Sequence, residues 1–245
     1  MSNNSDFFKL HKWYPYLSVY TFPTSFVRLR PEGAAYLAAS EQERKEFPRS
    51  VSKQIIADLK LVMPRLHGSC FTSTDLCAPT DTDRFKKKHG AVHSAESAWK
   101  FLCQSEKIRT AAQKGEIEFI AVRPFRHMNK AREFRLFIRN GKLAAMSQYW
   151  LIRHFSLLDK KGQFYWEKAQ KMADAVIWQL PVDDFVMDIY ITSDDEVLII
   201  DLNPWGEPTD PLLLRSWDRA DWDNTPGLQI MSPPLKISGD VHVSF

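Results

Sequence analysis

The residues best suited to chemistry in this chain are Asp188, Asp201 and Asn203. They lie in residues 185–207, FVMDIYITSDDEVLIIDLNPWGE, two apolar runs around a polar turn. Successive side chains of a strand alternate faces, so Asp201 and Asn203 share one and Leu202 takes the other. A hairpin loop at residues 194–195, or at 193–196, gives one register and sets Asp188 opposite Asp201. Opposed side chains have Cβ atoms roughly 4.5–5.5 Å apart, and like charges there are destabilising. At about 5 Å and an effective dielectric near 20, two carboxylates repel by about 3 kcal/mol. The flanking apolar residues predict a buried sheet, where such charges need a counter-charge. A hard divalent cation shared with phosphates supplies one. Asn203 adds a neutral oxygen. The competing reading is an exposed edge hairpin with solvated acids, which the run 197–200, VLII, disfavours.

A second hairpin precedes this one. Asn140-Gly141 between apolar runs is a strong signal for a two-residue turn. Such a turn pairs Arg139 with Lys142, Arg135 with Met146 and Glu133 with Gln148. Phe134, Leu136 and Ile138 then face a core, while Glu133, Arg135 and Gln148 form a polar row on the other face. With Arg135 as a rigid donor fork, that row is the wall of an anion site. Alternatively it is a sheet face open to water.

Other elements must carry these hairpins. Residues 116–125, EIEFIAVRPF, read as a strand ended by Pro124. Residues 48–62 and 94–113 read as helices, and residues 163–177 read as a surface helix. Residues 63–69 read as a short strand leading into a loop. Trp13-Tyr14-Pro15 closes a short opening helix. A helix is expected to start after Glu207, capped by Thr209 or Asp210. The end, residues 241–245, reads as a short extended piece. The polar stretch 70–90 carries Lys86-Lys87-Lys88-His89 and reads as a surface loop, or as a basic flap over phosphates or nucleic acid. His89 and His93 have no acidic or sulfur partner that would complete a metal site.

Composition narrows the classes. A chain of 245 residues with net charge +3 has the size and mix of a folded protein, and the charge alone does not announce nucleic acid. No apolar run is long enough for a membrane helix, and no signal-peptide pattern opens the chain. Three cysteines without a paired spacing fit a reduced, cytoplasmic setting. There is no P-loop, no Rossmann glycine turn, no G-x-S-x-G and no H-E-x-x-H.

The segments WYPYL, MPRLHGS, REFRLFI and MDIYITSDDEVLIIDLNPWGEPTDPLLL together resemble the cell-division-cycle 123 family, a divergent ATP-grasp clade. The resemblance runs from Trp13 to about Trp217. It implies an α+β, ATP-grasp-like fold with two mainly antiparallel sheets, flanking helices and a nucleotide site between them. It implies one such domain over residues 1–245, with approximate lobes 1–115 and 116–225 and a tail 226–245. It implies ATP and Mg2+ as cofactors, with Asp188, Asp201 and Asn203 on the metal. Arg135 would be the catalytic, phosphate-side residue and Glu133 its neighbour. Glu118, Phe119, Ile120, Ala121, Val122 and Arg123 would line the nucleotide, their backbone reading the adenine. Arg65 stands where the family carries a phosphate-binding lysine, which keeps the charge and changes the reach. Residues 69–79 are longer than the family pattern. Eukaryotic members help assemble translation initiation factor 2 by binding its gamma subunit. The implied protein is thus a monomeric assembly factor, away from membranes. The alternative is an ATP-grasp ligase joining an acid or phosphate end to a nucleophile on a peptide or RNA.

Overall fold

The fold is described from a computed structural model, over residues 4–66, 68–218 and 227–234. The chain divides into two compact units. One comprises residues 1–128 with 198–202, the other 129–197 with 203–245.

The first unit is built on a three-stranded antiparallel sheet. Its strands are β1 (Ser25–Arg28), β2 (Cys70–Thr74) and β3 (Phe119–Pro124), with β3 in the middle. Around them run α1 (Leu10–Leu17), α2 (Pro31–Ala38), α3 (Arg49–Val62), α4 (Asp83–Lys88), α5 (Ala95–Cys103) and α6 (Glu106–Gln113). The core joins Leu37, Leu59, Phe101, Leu102, Ile108 and Ile120, all fully buried. Trp13 anchors the opening helix, also fully buried.

The second unit holds β4 (Glu133–Arg139), β5 (Lys142–Gln148), α7 (Ser156–Val176), β6 (Phe185–Ile191) and β8 (Leu228–Gln229), while β7 (Val197–Pro204) has its residues 198–202 in the first unit and its ends in the second. The five-stranded order is β7-β6-β4-β5-β8, antiparallel between β4 and its neighbours and parallel between β5 and β8. β4 is buried from Glu133 to Ile138, as befits a central strand covered on both faces. Phe137, Ala145, Val186 and Leu214 pack together with Trp205 and Trp217.

Several expectations are corrected. Residues 63–66 form a 3-10 turn continuing α3 rather than a strand. The strand comes next, at Cys70–Thr74, inside the stretch read as a loop. Thr72, Ser73 and Thr74 are polar but buried, so hydropathy conceals a strand that hydroxyl-bearing residues line. The basic run closes a short helix, α4, capped by Thr82 and ended by His89 and Gly90 at positive φ. A Cβ on Gly90 would meet Phe71 at 2.7 Å, so glycine is required there. The segment 94–113 is two helices. Ser105 interrupts it, its Oγ accepting from Ile108 N at 3.2 Å and donating to Asp81 at 2.6 Å. Ser94 and Ser97 form a reciprocal capping box at the start of α5. α7 begins earlier than expected, at Ser156. Where a helix was expected after Glu207, the described residues form a 3-10 turn at Leu212–Leu214, with Leu212 and Arg215 at positive φ. The expected extended piece at 241–245 lies outside the described residues.

The Ser105 cap carries a direct expectation. Replacing Ser105 by alanine removes both bonds and should cost about 1–2 kcal/mol of stability in urea unfolding. An unchanged midpoint would mean that water replaces the cap without loss.

Candidate functional site

Both hairpins depart from their expected register, for local reasons. Arg139 pairs with Lys142 as the Asn-Gly turn requires, but an irregularity between Phe137 and Ile138 moves every pair farther from the turn by one residue. Arg135 therefore faces Ser147, and Phe134 faces Gln148. The metal-side hairpin turns on three residues, 193–195. Thr192 N donates to Glu196 O at 2.9 Å, Asp195 N donates to Thr192 O at 3.1 Å, and Asp195 stands at φ 60. An odd-numbered loop removes the parity on which the opposition of Asp188 and Asp201 rested.

What β4 and β6 do bring together is Arg135 and Asp188, directly paired across the ladder. The guanidinium grips the carboxylate with two bonds, Nε to Oδ1 at 2.7 Å and Nη2 to Oδ2 at 2.8 Å. Both side chains are over nine-tenths buried. Asn203 donates its amide to Asp188 Oδ2 at 3.2 Å. Arg135 Nη1 donates to the Asp210 carbonyl at 2.7 Å, and the Tyr149 ring lies 5.2 Å from its charged carbon. Burial works against the Arg135 charge, but Asp188 more than offsets it and holds the group above its ordinary value. The counter-charge that the sequence demanded for Asp188 is thus an arginine here. Asp210 and Tyr149 were not foreseen in this role. A main-chain carbonyl carries no side-chain signature, and Tyr149 is one of many aromatics.

Glu133, two residues along β4, is also buried. Burial pushes its carboxyl up to about 7. The Trp150 indole and Lys130 pull the other way, while the Asp188 charge adds to the rise. Lys130 sits 4.4 Å above the Trp150 ring.

The first unit holds the remaining predicted residues. Ile120, Ala121 and Val122 are fully buried in the central strand, paired with β1 on one side and β2 on the other. Glu118 O accepts from Leu29 N and Phe119 O from Asp75 N. These backbone groups are committed to the sheet. Only past Val122, at Arg123 and Pro124, does β1 cease to pair. Arg123 donates Nε to Thr24 Oγ1 at 3.0 Å and Nη1 to Ile200 O at 2.8 Å, and its Nη2 is buried without an acceptor. Burial lowers Arg123 to about 10, against the opposing charge of Asp201. Asp201 is half-buried and accepts from Leu202 N at 3.0 Å. Arg65 is exposed on the 3-10 turn and lines a groove of about 860 Å³ with Arg28, Arg30 and Glu118. Its 3-10 turn stands where residues 63–69 were expected to form a short strand.

The sequence pattern of the D123 family matches residues 66–232. The chain belongs to that family. Cell division cycle protein 123 of Candida glabrata is 29% identical over 178 residues, 68% of this chain and 48% of that protein. Its counterpart in Eremothecium gossypii is 33% identical over 179 residues, again 68% and 48%. The chain spans about half the length of these curated relatives. The translation initiation factor eIF2 assembly protein of Danio rerio is 33% identical over 100 residues, 40% of this chain and 28% of that protein. Cdc123 from Schizosaccharomyces pombe superposes over 93% of this chain and 97% of its own, with TM-score 0.77 and 20% identity. That likeness shows the fold, which is α+β with two mainly antiparallel sheets and flanking helices. No helix among the described residues is long and apolar enough to cross a membrane.

Proposed function

We propose that this chain is an ATP- and Mg2+-binding assembly factor of the ATP-grasp type, acting on translation initiation factor 2 through its gamma subunit. The observation that carries the nucleotide part is the buried cluster of Arg135, Asp188 and Asn203 in a chain of this family. A guanidinium already desolvated and held by a carboxylate can turn to phosphate oxygens without a fresh desolvation cost. Oxygen donors suit magnesium, and the family resemblance gives Asp188, Asp201 and Asn203 that role. They would hold the ion, which would neutralise charge on the phosphates. Arg135 would leave Asp188 for those phosphates, freeing the carboxylate. Adenine recognition falls to the end of β3 at Arg123 and Pro124. Glu133 sits at the same wall as a second, proton-bearing carboxyl.

The partner is supported by the assembly-protein relatives alone. The ligase reading predicts turnover. Calorimetric titration with ATP, with and without magnesium, followed by chromatography of the nucleotide, separates the two. Assembly work predicts magnesium-dependent binding with ATP recovered intact. Release of ADP or AMP that rises with a peptide or RNA acceptor would make the protein a ligase. Asp201→Ala should weaken ATP at least about tenfold with magnesium present and leave it unchanged without. Equal affinities with magnesium present would remove Asp201 from the metal.

A further inference from the structure

We propose that His11, Asp75 and Glu118 form a site for one divalent transition-metal ion, zinc by the chemistry of its donors. The site is independent of the nucleotide reading and lies within the first unit. The three side chains come from the first turn of α1, the end of β2 and the start of β3. Each offers a ligand atom, and these atoms all lie within 4.8 Å of one another. His11 Nδ1 is 2.9 Å from Asp75 Oδ2, and His11 Nε2 is 4.0 Å from Glu118 Oε2.

Three observations favour a metal over a plain ion pair. The first is the Asp75 carboxylate, which is completely buried. Glu118 N donates to both its oxygens, at 3.2 and 3.3 Å. A buried carboxylate in that position needs a full counter-charge.

The second is the aim of the imidazole. Despite the 2.9 Å approach, His11 Nδ1 is buried and makes no hydrogen bond. An imidazolium satisfying Asp75 would point its N–H at the oxygen. A ring nitrogen without a hydrogen bond can turn its lone pair to a third atom beside both groups. The ring is held there by Phe119, whose centroid is 4.5 Å away.

The third is the division of labour on Glu118. Lys9 Nζ takes Oε1 at 2.7 Å and leaves Oε2 on the His11 side. The backbone below is already fixed, since Leu10 N donates to Asp75 O at 2.6 Å and Asp75 N to Phe119 O at 3.0 Å. One imidazole with two carboxylate oxygens is a borderline donor set. It suits zinc and its first-row neighbours, and imidazole counts against magnesium and calcium. With three protein ligands, a fourth position is left for water. Bound metal would clip α1 to the sheet and add its binding free energy to the stability of this unit.

The test is a zinc titration of the chelator-stripped full chain by calorimetry, with the thermal midpoint read in parallel. The wild type should bind one equivalent and melt higher with zinc. Cobalt in its place should give visible bands without sulfur-to-metal charge transfer. His11→Ala should weaken binding about 100-fold, and Glu118→Gln at least about tenfold. Glu118 has 43% of its side chain exposed, so its variant stays folded even where His11→Ala does not. Cys77→Ser should bind as the wild type does. No saturable binding by the wild type, unchanged affinity in Glu118→Gln, or loss in Cys77→Ser would each overturn the assignment.

Discussion

Replacing Asp188 by alanine is expected to cost the protein about 3–5 kcal/mol of stability, far more than an ordinary polar truncation. The reason is what it leaves behind. Arg135 has 8% of its side chain exposed, and it keeps only the Asp210 carbonyl and the face of Tyr149. A guanidinium cannot shed its charge as a carboxylate or lysine can, so it must drag water in or move out. The companion variant separates the pair's charge from its shape. Arg135→Met with Asp188→Leu removes both charges and keeps apolar bulk, which in buried pairs is neutral or stabilising. The single variant should therefore unfold at markedly lower urea, and the double variant near the wild type. A cost below about 1 kcal/mol for Asp188→Ala would mean that water already reaches the pair. The double variant also tests function, because it should stay folded yet lose magnesium-dependent ATP binding. Stability and nucleotide would then be separated on the same two residues.

The pair illustrates what was legible in the sequence. Alternation and the Asn-Gly turn placed Arg135 on a strand, with its face left open between an anion wall and water, and the apolar neighbours of Asp188 asked for a counter-charge. The identity of that charge was not legible. It depends on β4 and β6 being neighbours, and on a three-residue loop in which Asp195 takes the left-handed conformation. Aspartate tolerates that conformation without announcing it. One residue of loop length decides which side chains oppose one another. The strand at Cys70–Thr74 was hidden for a different reason, since three consecutive hydroxyl-bearing residues are buried where alternation would put water on every second one. The central place of β3 was equally invisible, because pairing order is a long-range property. It is also what commits the backbone of Ile120 to Val122 to pairing on both sides. The His11, Asp75 and Glu118 cluster joins residues more than a hundred positions apart, with no spacing to betray it.

Glu133 supplies the second large effect, in the pH dependence of folding. Its carboxyl stands at about 7 in the folded chain against an ordinary 4.5, with burial as the main cause. The native state therefore keeps a proton that the unfolded chain gives up. Where the native state binds more protons, stability falls as pH rises. The contribution is fully present below about 4.5 and is lost progressively as the pH climbs to about 7, after which it stays lost. A shift of that size corresponds to about 3 kcal/mol, as an order of magnitude. Glutamine in this position has the shape of the protonated acid and cannot ionise. Glu133→Gln should match the wild type in acid and become the more stable of the two above neutrality. Urea unfolding of both proteins across this range gives the difference directly, and other titrating groups cancel in the subtraction. A difference that stays constant across the range would show that Glu133 ionises at its ordinary pH. If it grows in the opposite direction, the charged form is the one that the fold prefers, and the wall around Arg135 would have to be wetter than its burial indicates.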